Sequence, residues 1–285
     1  MTASTPAQAF AAAVRRHGER PALIHADRRW SHAELNAAVE RAARTLDAAG
    51  VAPGERVVLR LEKGLALILA HLACLRRGFV SVPCNPRATD AELRRLFEDA
   101  RPTRVLSDVE LPSGAPPSLS VTTDHDFADP PSPVPIAVDA AGWTHAPAPR
   151  ADDVACLIYT SGTTGRPKGA RLTHGNLASN TAALLAHWAW SERDVLLHVL
   201  PLFHVHGLFV GAHAALSAGA CLHLRPGFDP QDVWRRLGAG EASLFFGVPT
   251  HYHRLLRALP DGLDASAVRL FVSGSAPLRA DVKEA

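Results

Sequence analysis

The chain has little that would tie it to a membrane, a polyanion or an oxidising compartment. Its 285 residues carry 30 lysines and arginines against 28 aspartates and glutamates, a formal net charge of +2. That near-balance gives no electrostatic basis for binding nucleic acid or an anionic lipid surface. No apolar run reaches the roughly 18 residues of a membrane span. The longest, Leu65 to Leu75, is interrupted by His71 and ends at Arg76 and Arg77. The N-terminus lacks the basic stretch and apolar stretch of a secretory signal. Four cysteines (Cys74, Cys84, Cys156, Cys221) lie far apart with no CxxC pair. Cys74, Cys156 and Cys221 sit in or beside apolar runs, which fits buried free thiols in a reducing, cytoplasmic setting. It speaks against a disulfide framework or a zinc site.

What is present is an alternation of strands and helices. Ser31-His-Ala-Glu34 is a capping box. Leu35, Ala38, Val39, Ala42, Leu46 and Ala49 follow at helical spacing, and Gly50 stops the run. Arg56 to Leu61 reads as a strand, Gly64 to Arg77 as a largely buried helix, and Phe79 to Val82 as the next strand. A strand–helix–strand unit implies parallel pairing. Thr89-Asp-Ala-Glu92 is a second capping box, and Thr103 to Leu106 a short strand. Residues 110–150 hold nine prolines and read as a linker or surface excursion. Beyond them come a strand at Val154 to Tyr159, a helix at Thr173 to Trp188 and a strand at Asp194 to Leu200. An apolar helix at Leu208 to Ser217, stopped by Gly219, leads to the strand Cys221 to Leu224. Asp229 caps a helix with Pro230 at its first position. Strands at Ser243 to Val248 and Arg269 to Val272 flank a last full helix opened by Pro249. The expected fold class is α/β, with parallel sheets covered by helices.

The most informative stretch is Tyr159-Thr-Ser-Gly-Thr-Thr-Gly-Arg-Pro-Lys168-Gly169. A glycine- and hydroxyl-rich turn leaving a strand exposes backbone N–H groups, and Lys168 adds a point charge. Together they suit an anionic phosphate. The stretch is not a Walker A loop, because Lys168 follows Pro167 and precedes Gly169 where that loop needs Ser or Thr. Composition alone fits a surface turn equally well; the strand before, the helix after and the lysine among glycines favour the cradle.

Together with Arg171-Leu-Thr-His174 and Asn176-Leu177, the stretch resembles the signature of the adenylate-forming, or AMP-binding, superfamily, which includes the acyl-CoA synthetases. The resemblance covers the whole chain and matches roughly the first three-fifths of such an enzyme. It implies that Thr160, Ser161, Gly162, Thr163, Thr164, Gly165 and Lys168 hold the phosphates of ATP, with Thr160 also helping to bind Mg²⁺. Thr160 and Lys168 are then the catalytic candidates. The implied reaction activates a small carboxylic acid as an acyl-adenylate and passes the acyl group to coenzyme A. Such chemistry depends on positioning and charge neutralisation, which N–H groups, a lysine and Mg²⁺ supply.

Two further constellations stand out. Pro201-Leu-Phe-His-Val-His-Gly-Leu208 follows a strand, where parallel sheets commonly line a ligand crevice. His204 and His206 read as satisfied histidines or, by the resemblance, as acyl-pocket wall; no third ligand supports a metal site. The other is Phe246-Gly-Val-Pro-Thr-His-Tyr-His-Arg-Leu-Leu256 with Val272-Ser-Gly-Ser-Ala-Pro277. Periodicity turns Arg254 to solvent. These surroundings resemble malonyl-CoA and methylmalonyl-CoA synthetases. That likeness implies Arg254 clamping the substrate's second carboxylate, with Ser275 and the backbone near Ala276 completing the cradle.

The resemblance also marks what this sequence does not contain: a Tyr-Gly-x-Thr-Glu motif whose glutamate shares Mg²⁺, the ribose-binding aspartate, a barrel subdomain, and a small C-terminal domain with its lysine. The expected organisation over 1–285 is one incomplete N-terminal domain of two α/β subdomains, about 51–190 and about 191–285 together with 1–50. Pro277 to Ala285 reads as the opening of a helix. The expectation is an N-terminal portion that continues, pairs with a complementary chain, or survives as a non-catalytic nucleotide-binding remnant, and that has little ligase activity alone.

Overall fold

The computed structural model describes residues 5–26, 28–120, 148–160 and 168–284. They form two compact units, one drawn from residues 1–12 and 33–180 and one from 13–32 and 181–285. Helices α1 (Pro6–His17) and α5 (His174–His187) contain points where the chain passes between them.

The first unit is built on a six-stranded sheet of β3 (Arg56–Arg60), β4 (Val80–Pro83), β5 (Arg104–Ser107), β6 (Ser118–Ser120), β7 (Val154–Thr160) and β8 (Lys168–Thr173). Its order is β6-β5-β3-β4-β7-β8, with every pair parallel except the β7–β8 hairpin. Helix α2 (His32–Ala48) starts where the Ser31 box was expected, and Gly50 follows it at φ +80°. Helix α3 (Leu65–Arg77) is apolar except for His71 and its last two residues, Arg76 and Arg77, and all thirteen of its residues are buried. Helix α4 (Asp90–Ala100) is closed by the expected box: Thr89 Oγ1 accepts from the Glu92 N–H, and Glu92 Oε2 accepts from the Thr89 N–H at 2.8 Å. Beneath this unit Glu40 takes Arg77 at 2.8 Å and Arg76 at 3.4 Å, while Asp47 takes Arg77 at 2.9 Å. That network ties α2 to α3, which is why residues 33–50 belong to the first unit and not, as expected, with the second.

The second unit repeats the plan. Strands β1 (Pro21–His25), β2 (Arg28–Ser31), β9 (Val195–His198), β10 (Cys221–Leu224), β11 (Leu244–Gly247) and β12 (Leu270–Ser273) lie in the order β12-β11-β9-β10-β1-β2. All pairs are parallel except β1–β2. Helices α6 (Ala214–Ala218), α7 (Pro230–Gly238), α8 (Pro249–Arg257) and α9 (Ala280–Glu284) complete it. Asp229 caps α7 by accepting from the Gln231 N–H at 3.0 Å. Leu197, Val199, Val233, Trp234, Leu237, Phe245 and Leu255 form its core on one face of the sheet.

The α/β class with parallel sheets is as expected. All four cysteines are buried free thiols, and burial pushes each thiol up. Among the described residues no helix is long and apolar enough to cross a membrane.

Candidate functional site

Both units place their candidate residues at the carboxyl ends of parallel strands, the usual ligand side of such sheets. In the first unit this end belongs to β7, which runs parallel to β4. The sequence suggested a strand-to-helix turn after Tyr159. Instead the chain returns as β8, antiparallel to β7 with Thr160 opposite Lys168. The stretch therefore joins two antiparallel strands and does not lead into a helix N-terminus. Ser161, Gly162, Thr163, Thr164 and Gly165 lie outside the described residues; Thr160 ends β7, and Lys168 opens β8 and is exposed. Tyr159 is anchored through its hydroxyl, which donates to Asp99 Oδ2 at 2.5 Å. Burial and the Asp99 carboxylate push its phenol well up.

Helix α5 follows β8 with a reciprocal cap. Thr173 N–H donates to Asn176 Oδ1, and Asn176 N–H donates to Thr173 Oγ1, both at 3.1 Å. That explains Thr173 and Asn176 structurally. His174, at the first turn, is fully buried, and neither ring nitrogen has a hydrogen-bond partner. Burial drives its pKa down to about 4, opposed by Asp153. It is a neutral packing residue.

In the second unit the chain leaves β9 through Pro201 to Val205 and enters a π-helix, His206–His213, before α6. The sequence led us to expect an ordinary helix here. Two contacts widen it. Gly207 passes so close to Pro201 that a Cβ would lie 2.1 Å from the Pro201 carbonyl oxygen. His198 Nε2 donates to the Gly207 carbonyl at 2.8 Å. Such turns are frequent at functional sites.

This turn sets His206 against the end of β12. Its Nδ1 lies 3.3 Å from Ser275 Oγ. A Cβ on Gly274 would come within 2.8 Å of the His206 ring, so only glycine lets the imidazole sit there. Ser275 adopts φ +69°, the left-handed region that non-glycine residues seldom occupy. Burial lowers the His206 pKa, so the ring is neutral at pH 7 and can receive the Ser275 proton in a hydrogen bond. Helix α8 holds the two strand ends in place: the Tyr252 hydroxyl donates to the Val272 carbonyl at 2.8 Å, and Gly274 N–H donates to the Gly247 carbonyl at 3.1 Å.

The structure thus brings His206 and Ser275 together, with Ala276 next in the chain and exposed. His204 is exposed and packs on Phe203, ring centroids 4.4 Å apart; burial lowers its pKa too. Arg254 faces solvent, as periodicity indicated, with its guanidinium 4.9 Å above the Phe228 ring. Sequence reasoning passed over an aromatic wall. Trp188 and Trp190 meet Phe246 edge-on at 5.2 and 5.8 Å, and His206 lies 6.3 Å from the same ring. The Trp188-Ala-Trp190 pair just past a helix was the available signal. The arrangement offers a neutral, polarisable hydrogen-bonding pair beside an aromatic surface, which suits a small acyl group better than a metal ion. Among the described residues no group of three or more His, Cys, Asp and Glu side chains could hold a metal.

Comparison with known protein families matches residues 10–285 to the AMP-binding enzyme family. The chain is 33% identical to the mitochondrial malonate–CoA ligase ACSF3 of Bos taurus, over 94% of this chain and 49% of that protein. It is 33% identical to a feruloyl-CoA synthase of Amycolatopsis sp, over 92% and 52%. Among solved structures, ATP-bound MatB from Rhodopseudomonas palustris matches with a TM-score of 0.82 at 35% identity, covering 98% of this chain and 56% of that one. The chain spans about half the length of the curated relatives it matches.

Proposed function

The chain belongs to the AMP-binding enzyme family, and from that premise we propose that it is the nucleotide- and acyl-binding portion of an ATP-dependent acid–CoA ligase. The observation that carries the reading is the glycine- and hydroxyl-rich stretch spanning the β7–β8 hairpin at the carboxyl end of β7. A carboxylate oxygen attacks the α-phosphorus of ATP, forming the acyl-adenylate and releasing pyrophosphate. The thiol of coenzyme A then attacks the acyl carbon and releases AMP. The stretch from Thr160 to Lys168 holds the β- and γ-phosphates, and Lys168 offsets the charge that builds on the departing pyrophosphate. Mg²⁺ bound to a triphosphate needs only one or two protein oxygens; Thr160 supplies one of that kind, and the ion neutralises phosphate charge.

We assign malonate or methylmalonate as the favoured acid, on the strength of the malonate–CoA ligase among the relatives. His206, Ser275 and the backbone near Ala276 line the acyl site, and His204 forms part of its wall. Arg254 takes the distal carboxylate by swinging off Phe228, a move that its exposed position permits. A reducing, cytoplasm-like compartment suits the four free thiols.

Pyrophosphate release tests the reading, measured with ATP and malonate on the 285-residue chain and on the full open reading frame that contains it. We expect turnover from the full frame, malonate preferred over acetate, and little from the 285 residues, whose sequence lacks the Tyr-Gly-x-Thr-Glu glutamate. Turnover by the shorter chain would remove the inactivity proposal. ATP binding without turnover in either would leave a nucleotide-binding module in place of an enzyme.

A further inference from the structure

At the opposite, amino ends of the second unit's strands lies a cavity of about 460 Å³ that the proposed reaction does not use. Arg20 leads into β1, Asp194 into β9, and Cys221 opens β10, and parallel pairing brings these three starts to one end. His206 and Ser275 follow the other ends, roughly 13 Å away for a four-residue strand.

The cavity is rich in cations, two of them without an ion pair among the described residues. Arg20, Arg29, Arg193 and Arg236 line it, together with Glu192, Asp194 and Glu241. Two of the acids are already committed. Asp194 accepts from Arg269 at 2.7 and 2.8 Å, and Glu241 accepts from Arg236 at 2.6 Å. Arg20 donates to the Glu192 backbone carbonyl at 2.9 Å. Arg29 and Arg193 are exposed and form no ion pair among the described residues.

Two polar lining groups are buried, Asp194 at 3% and His223 at 6% exposed, and His223 has a ring nitrogen without a partner. Its Nε2 lies 3.4 Å from Arg236 Nη1. A guanidinium can only donate, so Nε2 accepts and the proton of the neutral ring resides on Nδ1. That N–H has no hydrogen-bond partner, and the nearest carboxylate oxygen, on Glu241, is 3.9 Å away. A buried unpaired donor is costly, and the His223 ring that carries it lines a cavity with two unspent arginines at its mouth.

We propose that this cavity is a second ligand site, for a small polyanion whose phosphate or carboxylate oxygens are held by Arg29 and Arg193 at its mouth, with the His223 ring at its inner end. The proposal stands independently of the ligase reading. Its test is an imidazole ¹⁵N NMR titration of the 285-residue chain carrying Lys168→Ala, which weakens the proposed ATP cradle. The probes are inorganic pyrophosphate and citrate, and His223→Gln assigns the signal. The His223 resonances should move and saturate with at least one probe. Arg29→Ala and Arg193→Ala should each weaken that response at least about tenfold, the low end for a charge-assisted hydrogen bond. A response to pyrophosphate alone identifies a phosphate ligand, and one to citrate alone a carboxylate ligand. Unmoved His223 signals at millimolar probe would overturn the proposal, as would unchanged affinity in both arginine variants. Both arginines are exposed, so neither substitution removes a core contact.

Discussion

The two units share one sheet plan, five parallel strands with a single antiparallel edge strand, yet they use the edge differently. In the second unit β1 and β2 pair His25 with Arg28, so the turn between them has two residues and only closes the edge. In the first, seven residues separate Thr160 from Lys168, and those seven belong to the stretch proposed to hold phosphate. The second unit instead mounts its candidates past the end of β9, a central strand, through a π-helix, and past the end of β12, its parallel edge strand, at a left-handed Ser275. The candidates therefore take two sorts of position: a long connection between edge-paired strands, and a distorted connection after a central strand, which the core must accommodate. The units also differ in what they bury. The first holds a carboxylate between two arginines, Glu40 with Arg76 and Arg77.

The sharpest way to break that comparison is Glu40→Ala. It leaves two guanidinium groups that are 5% and 4% exposed without their shared carboxylate. Removing one partner of a buried ion pair costs about 3–5 kcal/mol. Urea unfolding should register that loss in the first unit's transition. A loss below about 1 kcal/mol would mean that water reaches the arginines and that this unit is not pinned by charge. The second unit's counterpart is Arg254→Ala in the full open reading frame. If Arg254 takes the distal carboxylate, kcat/KM for malonate should fall by about 2–5 kcal/mol of transition-state binding, with acetate unaffected. Unchanged malonate kinetics would leave Arg254 as a cation resting on Phe228.

Much of the architecture was legible because the signals were local. The Thr89 box, Asp229 before Pro230, and the long apolar run of α3 each announce an element without help from distant residues. Elements went unread where that help decides. β2 is Arg-Arg-Trp-Ser and β8 is Lys-Gly-Ala-Arg-Leu-Thr, both edge strands whose exposed residues need not be apolar. β1 and α1 were missed beside them, the latter an alanine-rich run whose buried face is Ala7, Phe10 and Ala13. The π-helix could not be read at all, since His198 and Pro201 impose it from outside the segment. The same holds for the site. His206 and Ser275 are 69 residues apart, and only the fold makes them neighbours. Arg254 shows the converse: periodicity described its surroundings, while the role suggested by resemblance needs a movement that periodicity cannot supply.

A smaller effect compares the units through their histidines. His174 in the first and His223 in the second are both held down to about 4 by burial, against an ordinary value of 6.5. Each folded ring stays neutral while its unfolded counterpart takes up a proton below pH 6.5. The unfolded state then binds more protons, so stability falls as pH drops from 6.5 towards 4 and levels off below that. At about 1.4 kcal/mol per pH unit, each contributes no more than roughly 3 kcal/mol to the loss. Asp194, whose pKa the Arg269 contact lowers against the opposing effect of burial, loses its contribution only below the ordinary aspartate value of 3.8. The histidine window is therefore separate. His174→Leu should remove one share of the loss between pH 7 and 4.5, and it should not destabilise at pH 7, because neither ring nitrogen has a hydrogen bond to give up. His223→Gln should remove the other share. Thermal unfolding of both variants at the two pH values measures this. A pH profile unchanged by His174→Leu would show that the ring is protonated in place, and that the first unit is less dry at its hairpin than its burial implies.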